Sequence, residues 1–371
     1  MKATIAIRAD YSPEIGSGHY MRCRTLAVAL RKRGCRIVFM FRYLPEFCQE
    51  ELRALGFELL QLQPPVPPAP AQPADYTPPR HASWLGVSAL EDAGSCLKAC
   101  SGRRPFDWLI VDHYALDALW EKATKPFRRH LMVIDDLADR PHDCDLLLDQ
   151  NCYHHAEHRY ENLVPASCQC LLGARYAILR EQFRTARERM TLRRGPVGRL
   201  LIFMGGSDVG NHTQRVMDAL VRLPALPKHI EVITSRANVH IESLRASCAR
   251  LGWDCITDTP DMAAHMLAAD AAIGAAGSTN LERFCLGLPS FVLSVAHNQE
   301  RMLEDCGKQG LLQAHIQGED LEEELLRFLA DNKLREAMSE RCAHVVDGLG
   351  TDRILSALQT ISPSLYQEQE A

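Results

Sequence analysis

The sequence has no long hydrophobic run and no long run of lysine or arginine. Its first ten residues, MKATIAIRAD, contain a short apolar segment that Arg8 interrupts, and this segment is too short for a signal peptide. No later segment approaches the length of a transmembrane helix. The formal net charge of -5 gives no electrostatic basis for binding nucleic acid or an anionic membrane. We therefore expect a cytoplasmic protein with no nucleic-acid partner and no membrane partner.

The sequence also lacks paired cysteines at the spacing of a zinc site. It has 14 cysteines, and the nearest neighbours, Cys96 with Cys100 and Cys168 with Cys170, have no second pair at ligand spacing. An isolated cysteine is usually a small buried side chain. We predict reduced structural thiols, no metal site and no other cofactor.

What the sequence does contain is a repeated alternation of strand and helix patterns. ATIAIRAD, MRCRTLAVALRKRG and RIVFMF predict a strand, a helix that ends at Gly34 and a second, parallel strand. The alternation restarts at RLLIFMGGSD, after a charged segment that contains Gly and Pro. The pattern predicts an α/β protein with two Rossmann-like domains facing a central cleft. The predicted domains are residues 1–185 and 199–371, joined by a linker at 186–198.

Residues 64–79 are rich in proline, with eight prolines in PPVPPAPAQPADYTPP. Proline lacks an amide N–H and restricts the backbone, so this segment is predicted to be an exposed loop of the first domain. A ligand for an SH3-type domain is the alternative.

One loop of the second half, MGGSDVGN, has features of a phosphate-binding turn. Gly205 and Gly206 follow a strand and allow a ligand to approach the backbone closely. Ser207 and Asp208 are then placed to cap the next helix. The alternative is a plain tight turn.

A second loop, GAAGSTNLER, leads from a strand into a helix. The amides and hydroxyls of Ser278 and Thr279 are suited to a diphosphate. Glu282, one turn later, is suited to accept hydrogen bonds from a ribose; a solvated first-turn glutamate is the alternative. In HNQER, Asn298 and Gln299 follow the next strand and are candidates for the same ligand, although Asn298 is also a candidate helix cap.

The turn EIGSGH follows the first strand and contains a histidine. It lacks the third glycine of a dinucleotide-binding motif, because Met21 stands three residues after Gly18. Gly18 is kept as a candidate substrate contact. His19 at the start of a helix is instead a candidate base, since the helix dipole disfavours the protonated ring. The alternative is a surface or core histidine.

Arg8 and Asp10 end the same strand. One of them is a candidate to orient the His19 ring or to bind a sugar hydroxyl; a local ion pair between them is the alternative. VDHY, which contains Asp112–Tyr114, also ends a strand and is a candidate for the cleft, or for a helix cap.

Taken in order across nearly the whole chain, several motifs resemble those of the UDP-sugar hydrolases of pseudaminic acid biosynthesis. These motifs are IRADYSPEIGSGHYMRCRTLAVAL, VDHY, LLGARYAILREQF, MGGSD and GSTNLERFCLGLP. That family shares the GT-B fold of the lipid II-forming N-acetylglucosaminyltransferase. The resemblance implies a GT-B-like fold for this chain.

The resemblance also implies a reaction. It is the hydrolysis of UDP-2,4-diacetamido-2,4,6-trideoxy-beta-L-altrose to UDP and the free sugar, by attack of water at C1 with inversion and C–O cleavage. His19 is then the catalytic base. The implied nucleotide contacts are Ser278, Thr279, Glu282 and Asn298.

LLGARYAILREQF adds Tyr176 and Arg180 as candidate substrate contacts, with a helix surface near the linker as the alternative. A GT-B glycosyltransferase that passes the sugar from a UDP-sugar to an acceptor is the rival function. A UDP-sugar sensor without activity is a second rival.

Overall fold

The computed structural model of the chain describes residues 2–63, 72–73, 75–295, 299–316 and 320–366. Most of the predicted proline-rich loop therefore lies outside the described residues. The chain divides into two compact units. The first unit is Met1–Gln150, His155–Ile178 and Thr351–Ala371, and the second is Asn151–His154 and Leu179–Gly350.

Strands and helices alternate along both units. The strands are β1 (Thr4–Ala9), β2 (Arg36–Phe41), β3 (Glu58–Gln61), β4 (Phe106–Asp112), β5 (Arg128–Ile134), β6 (Leu146–Asp149), β7 (Gln169–Leu172), β8 (Arg199–Phe203), β9 (His229–Thr234), β10 (Asp254–Thr257), β11 (Ala271–Ala275), β12 (Ser290–Leu293) and β13 (Gln313–His315). The α-helices are α1 (Gly18–Lys32), α2 (Glu46–Ala54), α3 (Ala89–Ala99), α4 (Ala118–Ala123), α5 (Glu181–Arg187), α6 (His212–Val221), α7 (Ile241–Leu251), α8 (Met262–Ala268), α9 (Thr279–Cys285), α10 (Glu300–Lys308), α11 (Leu321–Ala330), α12 (Asn332–Val345) and α13 (Gly350–Ile361).

Each unit contains one parallel sheet. The strand order is β3-β2-β1-β4-β5-β6-β7 in the first unit and β10-β9-β8-β11-β12-β13 in the second. In both sheets the second and third strands along the chain lie on one side of the first strand, and the later strands lie on its other side. The reversal falls between β1 and β4 in the first unit and between β8 and β11 in the second, and ligands of such sheets bind at the carboxyl ends of these strands.

Both faces of the first sheet are covered, which is why its strands are apolar almost throughout. On one face, Ile7 of β1 packs with Leu26 of α1 and with Leu358 of α13. On the other face, Val111 of β4 packs with Cys96 of α3. Helix α13 thus completes the core of the first unit.

The predicted α/β class with two parallel-sheet domains is confirmed. Helix α1 ends as predicted, with Gly34 at a φ of 88° in the left-handed region. It begins at Gly18, however, earlier than the predicted start at Met21. The domain boundaries also differ from the predicted ones, since the division between the units falls after Ile178 and the segment from Thr351 joins the first unit.

Within the described ranges, the structure has no helix with the length and apolar composition that a membrane crossing requires.

Candidate functional site

The first candidate site lies at the carboxyl ends of the strands where the first sheet reverses. β1 and β4 pair in parallel, and Ala9 is in register with Asp112. The chain leaves β1 through a loop that enters α1, which places His19 in the first turn of that helix. Asp112, the last residue of β4, is therefore brought to the same edge of the sheet as His19.

His19 and Asp112 form a hydrogen-bonded pair. Nδ1 of His19 and Oδ1 of Asp112 are 2.5 Å apart. A carboxylate only accepts hydrogen bonds, so Nδ1 is the donor of this bond, and in the neutral ring the lone pair is then on Nε2. Among the described residues, Nδ1 is the ring nitrogen of His19 that has polar partners, and Nε2 makes no hydrogen bond. This arrangement fits a base whose free nitrogen is Nε2.

Arg22 holds the Asp112 carboxylate from the other side. Its Nε donates to Oδ2 at 2.5 Å and its Nη2 donates to Oδ1 at 2.7 Å, which is a bidentate contact. Burial alone would raise the pKa of Asp112, but Arg22 and then His19 hold that pKa well below its usual range. Asp112 is therefore ionised at neutral pH, and its position is fixed before any ligand binds.

The network continues to Asp136 and Tyr114. Nη1 of Arg22 lies 3.1 Å from Oδ2 of Asp136, and the Tyr114 hydroxyl donates to the other oxygen of that carboxylate. Burial, and then the Asp136 charge, raise the pKa of Tyr114 well above its usual value. The Tyr114 ring also meets the His19 ring edge-on, with centroids 4.5 Å apart. His19 is thus fixed by a carboxylate on one side and a neutral phenol ring on another.

Gly18 precedes this histidine. Its backbone is outside the left-handed region, and a Cβ at this position would meet no protein atom within 4 Å. Neither the fold nor the packing therefore requires glycine here. The missing side chain leaves room beside His19, as the substrate-binding prediction for Gly18 requires.

Arg8 and Asp10 do not take the predicted role of orienting His19. Both side chains are fully buried, and Nη1 of Arg8 lies 2.7 Å from Oδ1 of Asp10. The imidazole nearest to Asp10 is that of His113, at 3.3 Å, and Arg8 also donates to Asp92 of α3. These contacts favour the alternative of a local ion pair, and the structure gives no support for a sugar contact. The acid that contacts His19 is Asp112, which the sequence analysis named only as a candidate for the cleft, because it lies on a neighbouring strand 93 residues away.

The second candidate site lies where the second sheet reverses. β8 and β11 pair in parallel, so the loops that follow them lie at the same edge. Gly205 has a φ of 90°, which favours glycine. The carbonyl of Gly206 accepts a hydrogen bond from Ser235 at 2.7 Å. The turn therefore needs its first glycine for backbone reasons, which supports the tight-turn interpretation without excluding a ligand.

The two polar residues of this turn behave differently. The Asp208 carboxylate accepts from the amides of His212 and Thr213 at 2.8 and 2.9 Å, at the start of α6. It is buried and caps the helix, as predicted. Ser207 is exposed, and its hydroxyl has no hydrogen bond to another described residue. Of the two side chains, only Ser207 is available to a ligand.

The loop between β11 and α9 presents two hydroxyls. Ser278 is exposed and Thr279 is half-buried. Ser278 stands at the N-cap of α9 but makes no side-chain capping bond there. Within the described part of the chain, neither hydroxyl has a hydrogen-bond partner. Both are therefore available to an oxygen-rich ligand, and their contact with a diphosphate stays a prediction.

Glu282 is paired with Arg180 in the second unit. Nη2 of Arg180 donates to Oε1 of Glu282 at 2.9 Å. The ion pair fixes one carboxylate oxygen, and Oε2 accepts no hydrogen bond from another described residue. The solvated-glutamate alternative is not supported, because the Glu282 side chain is only 18% exposed. Tyr176 falls in the first unit, where it packs partly against the core.

A buried arginine that the sequence analysis did not identify supports this loop. Arg283 of α9 is 1% exposed; it donates to the carbonyl of Ala275 at 3.1 Å and to the Asn280 side chain. Burial lowers its pKa to about 10, and the Glu282 charge opposes that shift. A Cβ at Gly274 would lie 2.2 Å from Nη1 of Arg283. Gly274 therefore makes the room that Arg283 occupies.

Only residues 299–301 of the HNQER segment are among the described residues. Asn298 lies outside the described residues. Nε2 of Gln299 donates to the carbonyl of Ala276 at 3.2 Å, which ties the start of α10 to the same loop. No group of three or more histidine, cysteine or acidic side chains suited to a metal ion occurs among the residues that the structure describes.

Arg22 and Asp136 were also missed by the sequence analysis. Arg22 stands three residues after His19 on α1, a spacing that places two side chains on the same helix face. This signal was available from the sequence. The role of Asp136 depends on the strand order and was not.

No protein-family model matches the chain. The spore coat polysaccharide biosynthesis protein SpsG of Bacillus subtilis is 30% identical over 204 residues, which are 53% of this chain and 59% of that protein. The UDP-2,4-diacetamido-2,4,6-trideoxy-beta-L-altropyranose hydrolase of Campylobacter jejuni is 33% identical over 141 residues, which are 38% of this chain and 48% of that protein. The chain thus spans about half the length of the curated relatives it matches.

Solved structures match the chain over nearly its whole length. MurG of Acinetobacter baumannii has a TM-score of 0.62 at 14% identity and covers 97% of this chain and 100% of its own. The calicheamicin glycosyltransferase CalG4 has a TM-score of 0.60 at 14% identity, covering 98% and 100%. Phytolacca americana UGT2, complexed with UDP-2fluoro-glucose and pterostilbene, has a TM-score of 0.65 at 10% identity, covering 97% and 99%. With the two parallel-sheet units, these similarities show that the chain has a GT-B-like fold.

Proposed function

We propose that the protein is an enzyme that uses a UDP-sugar, and that it hydrolyses UDP-2,4-diacetamido-2,4,6-trideoxy-beta-L-altrose to UDP and the free sugar. The observation that carries this proposal is the pairing of His19 with Asp112, because it leaves Nε2 of a fixed imidazole available to take a proton from water. Two further observations support it. The Campylobacter jejuni relative is named for this reaction, and the second unit presents loops suited to a nucleotide.

The proposed reaction takes place at C1 of the sugar. Water attacks C1 on the face opposite the diphosphate and gives its proton to Nε2 of His19. The bond between C1 and the diphosphate oxygen breaks, and its electron pair leaves with UDP. Asp112 stabilises the imidazolium that forms, as the carboxylate does in a Ser-His-Asp triad. Because UDP is a good leaving group, a carboxylic acid to protonate it is not required.

The second unit binds the nucleotide in this proposal. The backbone of Gly205 and Gly206 and the hydroxyls of Ser278 and Thr279 contact the diphosphate, where donors stabilise the charge that develops on UDP. Glu282, oriented by Arg180, accepts hydrogen bonds from the ribose hydroxyls. Gln299 and Asn298 remain proposed contacts of the same ligand.

The test is mass analysis of both products after incubation with this UDP-sugar in oxygen-18 water without an acceptor. We expect label in the free sugar and none in UDP, because water attacks carbon. The free sugar exchanges its C1 oxygen with solvent, so unlabelled sugar incubated in parallel measures that exchange. Label in UDP would show attack at phosphorus and would contradict a base placed at C1.

The second candidate function is a glycosyltransferase, which the shared fold with CalG4 favours. It predicts an intact substrate in water and consumption only after an acceptor is added. The same incubation therefore separates the two candidates.

A further inference from the structure

Aromatic rings continue outward from His19. Tyr114, whose ring touches that of His19, lies 5.7 Å from the ring of His81 and 5.9 Å from that of Trp84, measured between centroids. The His81 and Trp84 rings are 4.3 Å apart. The rings of His81, Trp84 and Tyr114 therefore form a continuous aromatic wall that begins at the proposed base.

The chain segment that contributes His81 and Trp84 is anchored on the C-terminal side of the rings. It forms a short 3-10 helix, Ala82–Leu85, in which Leu85 is 1% exposed and fixes the turn in the core. Gly86 ends this helix in the left-handed region. Ser88 then starts α3 with a capping box. The two rings are thus held in place by the fold.

Part of the wall is left uncovered by the residues that the structure describes. Trp84 and His81 are both only half-buried. Among the described residues, the indole N–H of Trp84 has no hydrogen-bond acceptor. Burial is the main cause that lowers the pKa of His81, with Arg140 and His19 also lowering it, so the His81 ring is neutral at neutral pH. Packing of the turn alone does not require a half-buried indole next to the Tyr114 ring.

We infer that Trp84 and His81 bind the sugar of the UDP-sugar and favour sugars with an apolar face, such as a deoxy carbon or the methyl group of an acetamido substituent. This inference rests on the proposed function of His19. Aromatic rings offer a large apolar surface with a polar edge, and the indole N–H is a donor for an acetamido carbonyl or a sugar hydroxyl. Neither residue belongs to the motifs that carried the proposed function.

The consequence is a division of binding between nucleotide and sugar. Loss of Trp84 removes apolar contact with the sugar and leaves the nucleotide contacts untouched. Covering about 50 Å² of apolar surface corresponds to about tenfold in affinity.

The test measures the affinities of UDP and of UDP-2,4-diacetamido-2,4,6-trideoxy-beta-L-altrose in a His19→Ala protein, which does not turn the substrate over. We expect Trp84→Ala to weaken binding of the UDP-sugar about tenfold and to change UDP binding less than about twofold. Trp84→Phe should retain most of the affinity for the UDP-sugar. Phe47→Ala, which removes an exposed aromatic ring elsewhere in the first unit, is the matched control and should change neither affinity.

The outcomes separate this inference from the proposed function. Unchanged UDP-sugar affinity in Trp84→Ala, with normal UDP binding, would overturn the sugar-binding role of the wall and leave the hydrolase proposal in place. Failure of the His19→Ala protein to bind either ligand would overturn both. With His19 intact, the expected signature of Trp84→Ala is a raised KM with little change in kcat.

Discussion

The ring of His19 and the carboxylate of Asp112 are joined across two neighbouring parallel strands, with Nδ1 and Oδ1 2.5 Å apart. The histidine comes from the helix that follows β1, and the acid ends β4. Because the acid is also held by the guanidinium of Arg22, it is fixed in space before the histidine accepts a proton. Several experiments can test what this pair does.

Asp112→Asn should reduce kcat by roughly 10²- to 10⁴-fold while UDP affinity changes little. An amide in place of the carboxylate permits the wrong tautomer of His19 and no longer stabilises the imidazolium. The measurement is steady-state kinetics together with UDP titration. In a His19→Ala background, Asp112→Asn should cause little further loss, because the acid acts through the histidine. Equal losses in both backgrounds would show that Asp112 has a separate role.

Glu282→Gln should weaken UDP binding by about 1 to 3 kcal/mol, since the carboxylate that we propose as the acceptor of ribose hydrogen bonds is lost. Arg180→Ala should weaken it through the same interaction, because Arg180 orients Glu282. The double variant should then show less than the sum of the two effects. Arg189→Ala, which removes an exposed charge nearby in sequence, is the control for net charge. Additive effects in calorimetric titrations would contradict the orienting role.

The stability of the first unit should depend on His142 at alkaline pH. Burial lowers the pKa of His142, but Glu121 and Asp135 raise it overall to about 9, against about 6.5 in the unfolded chain. A raised folded pKa stabilises the protein fully below about pH 6.5, and this contribution is lost as the pH rises through 9. We expect the free energy of unfolding to fall over that interval by about 3 kcal/mol from this group.

Urea unfolding of the wild type and of His142→Gln between pH 6.5 and 9 measures this contribution. The variant should lose the dependence on pH that the histidine supplies. His229→Gln, at an exposed position in the second unit, is the control and should retain the pH dependence of the wild type. Parallel pH profiles for the wild type and His142→Gln would contradict the assignment.

Gly274→Ala should destabilise the second unit by about 1 to 3 kcal/mol. The new methyl group would lie 2.2 Å from Nη1 of Arg283 and 2.9 Å from the carbonyl oxygen of Phe203. Gly94→Ala is the matched control, because a Cβ there meets no atom within 4 Å on the exposed side of α3. It should raise stability by about 0.5 to 1 kcal/mol. Similar melting temperatures for the two variants would contradict the steric argument.

The fold class could be predicted because parallel strands buried on both faces read as continuous apolar segments between helix patterns. The start of α1 was placed too late because Gly18 was interpreted as part of the turn. The first amides of a helix need no partner within the helix, so a glycine can begin it. Because the strands could be located in the sequence, the polar residues that follow them could be predicted to lie at the edges of the sheets.

The contacts between these polar residues could not be predicted from the sequence. Asp10 directly follows β1 and Asp112 ends β4, and only the folded structure shows which of them reaches His19. The ion pair between Arg180 and Glu282 joins residues that are 102 positions apart. Contacts of this kind depend on the packed chain, which local patterns do not specify.

The return of α13 to the first unit affects how the protein is made. Ile354 and Leu358 belong to the same core as β1 and α1, yet they leave the ribosome after the whole of the second unit. At about 5 to 20 residues per second, this side of the core stays exposed to solvent for roughly 10 to 40 seconds after β7 has been synthesised. Of the two units, the one whose sheet is translated earlier therefore completes its core only after the other has been synthesised.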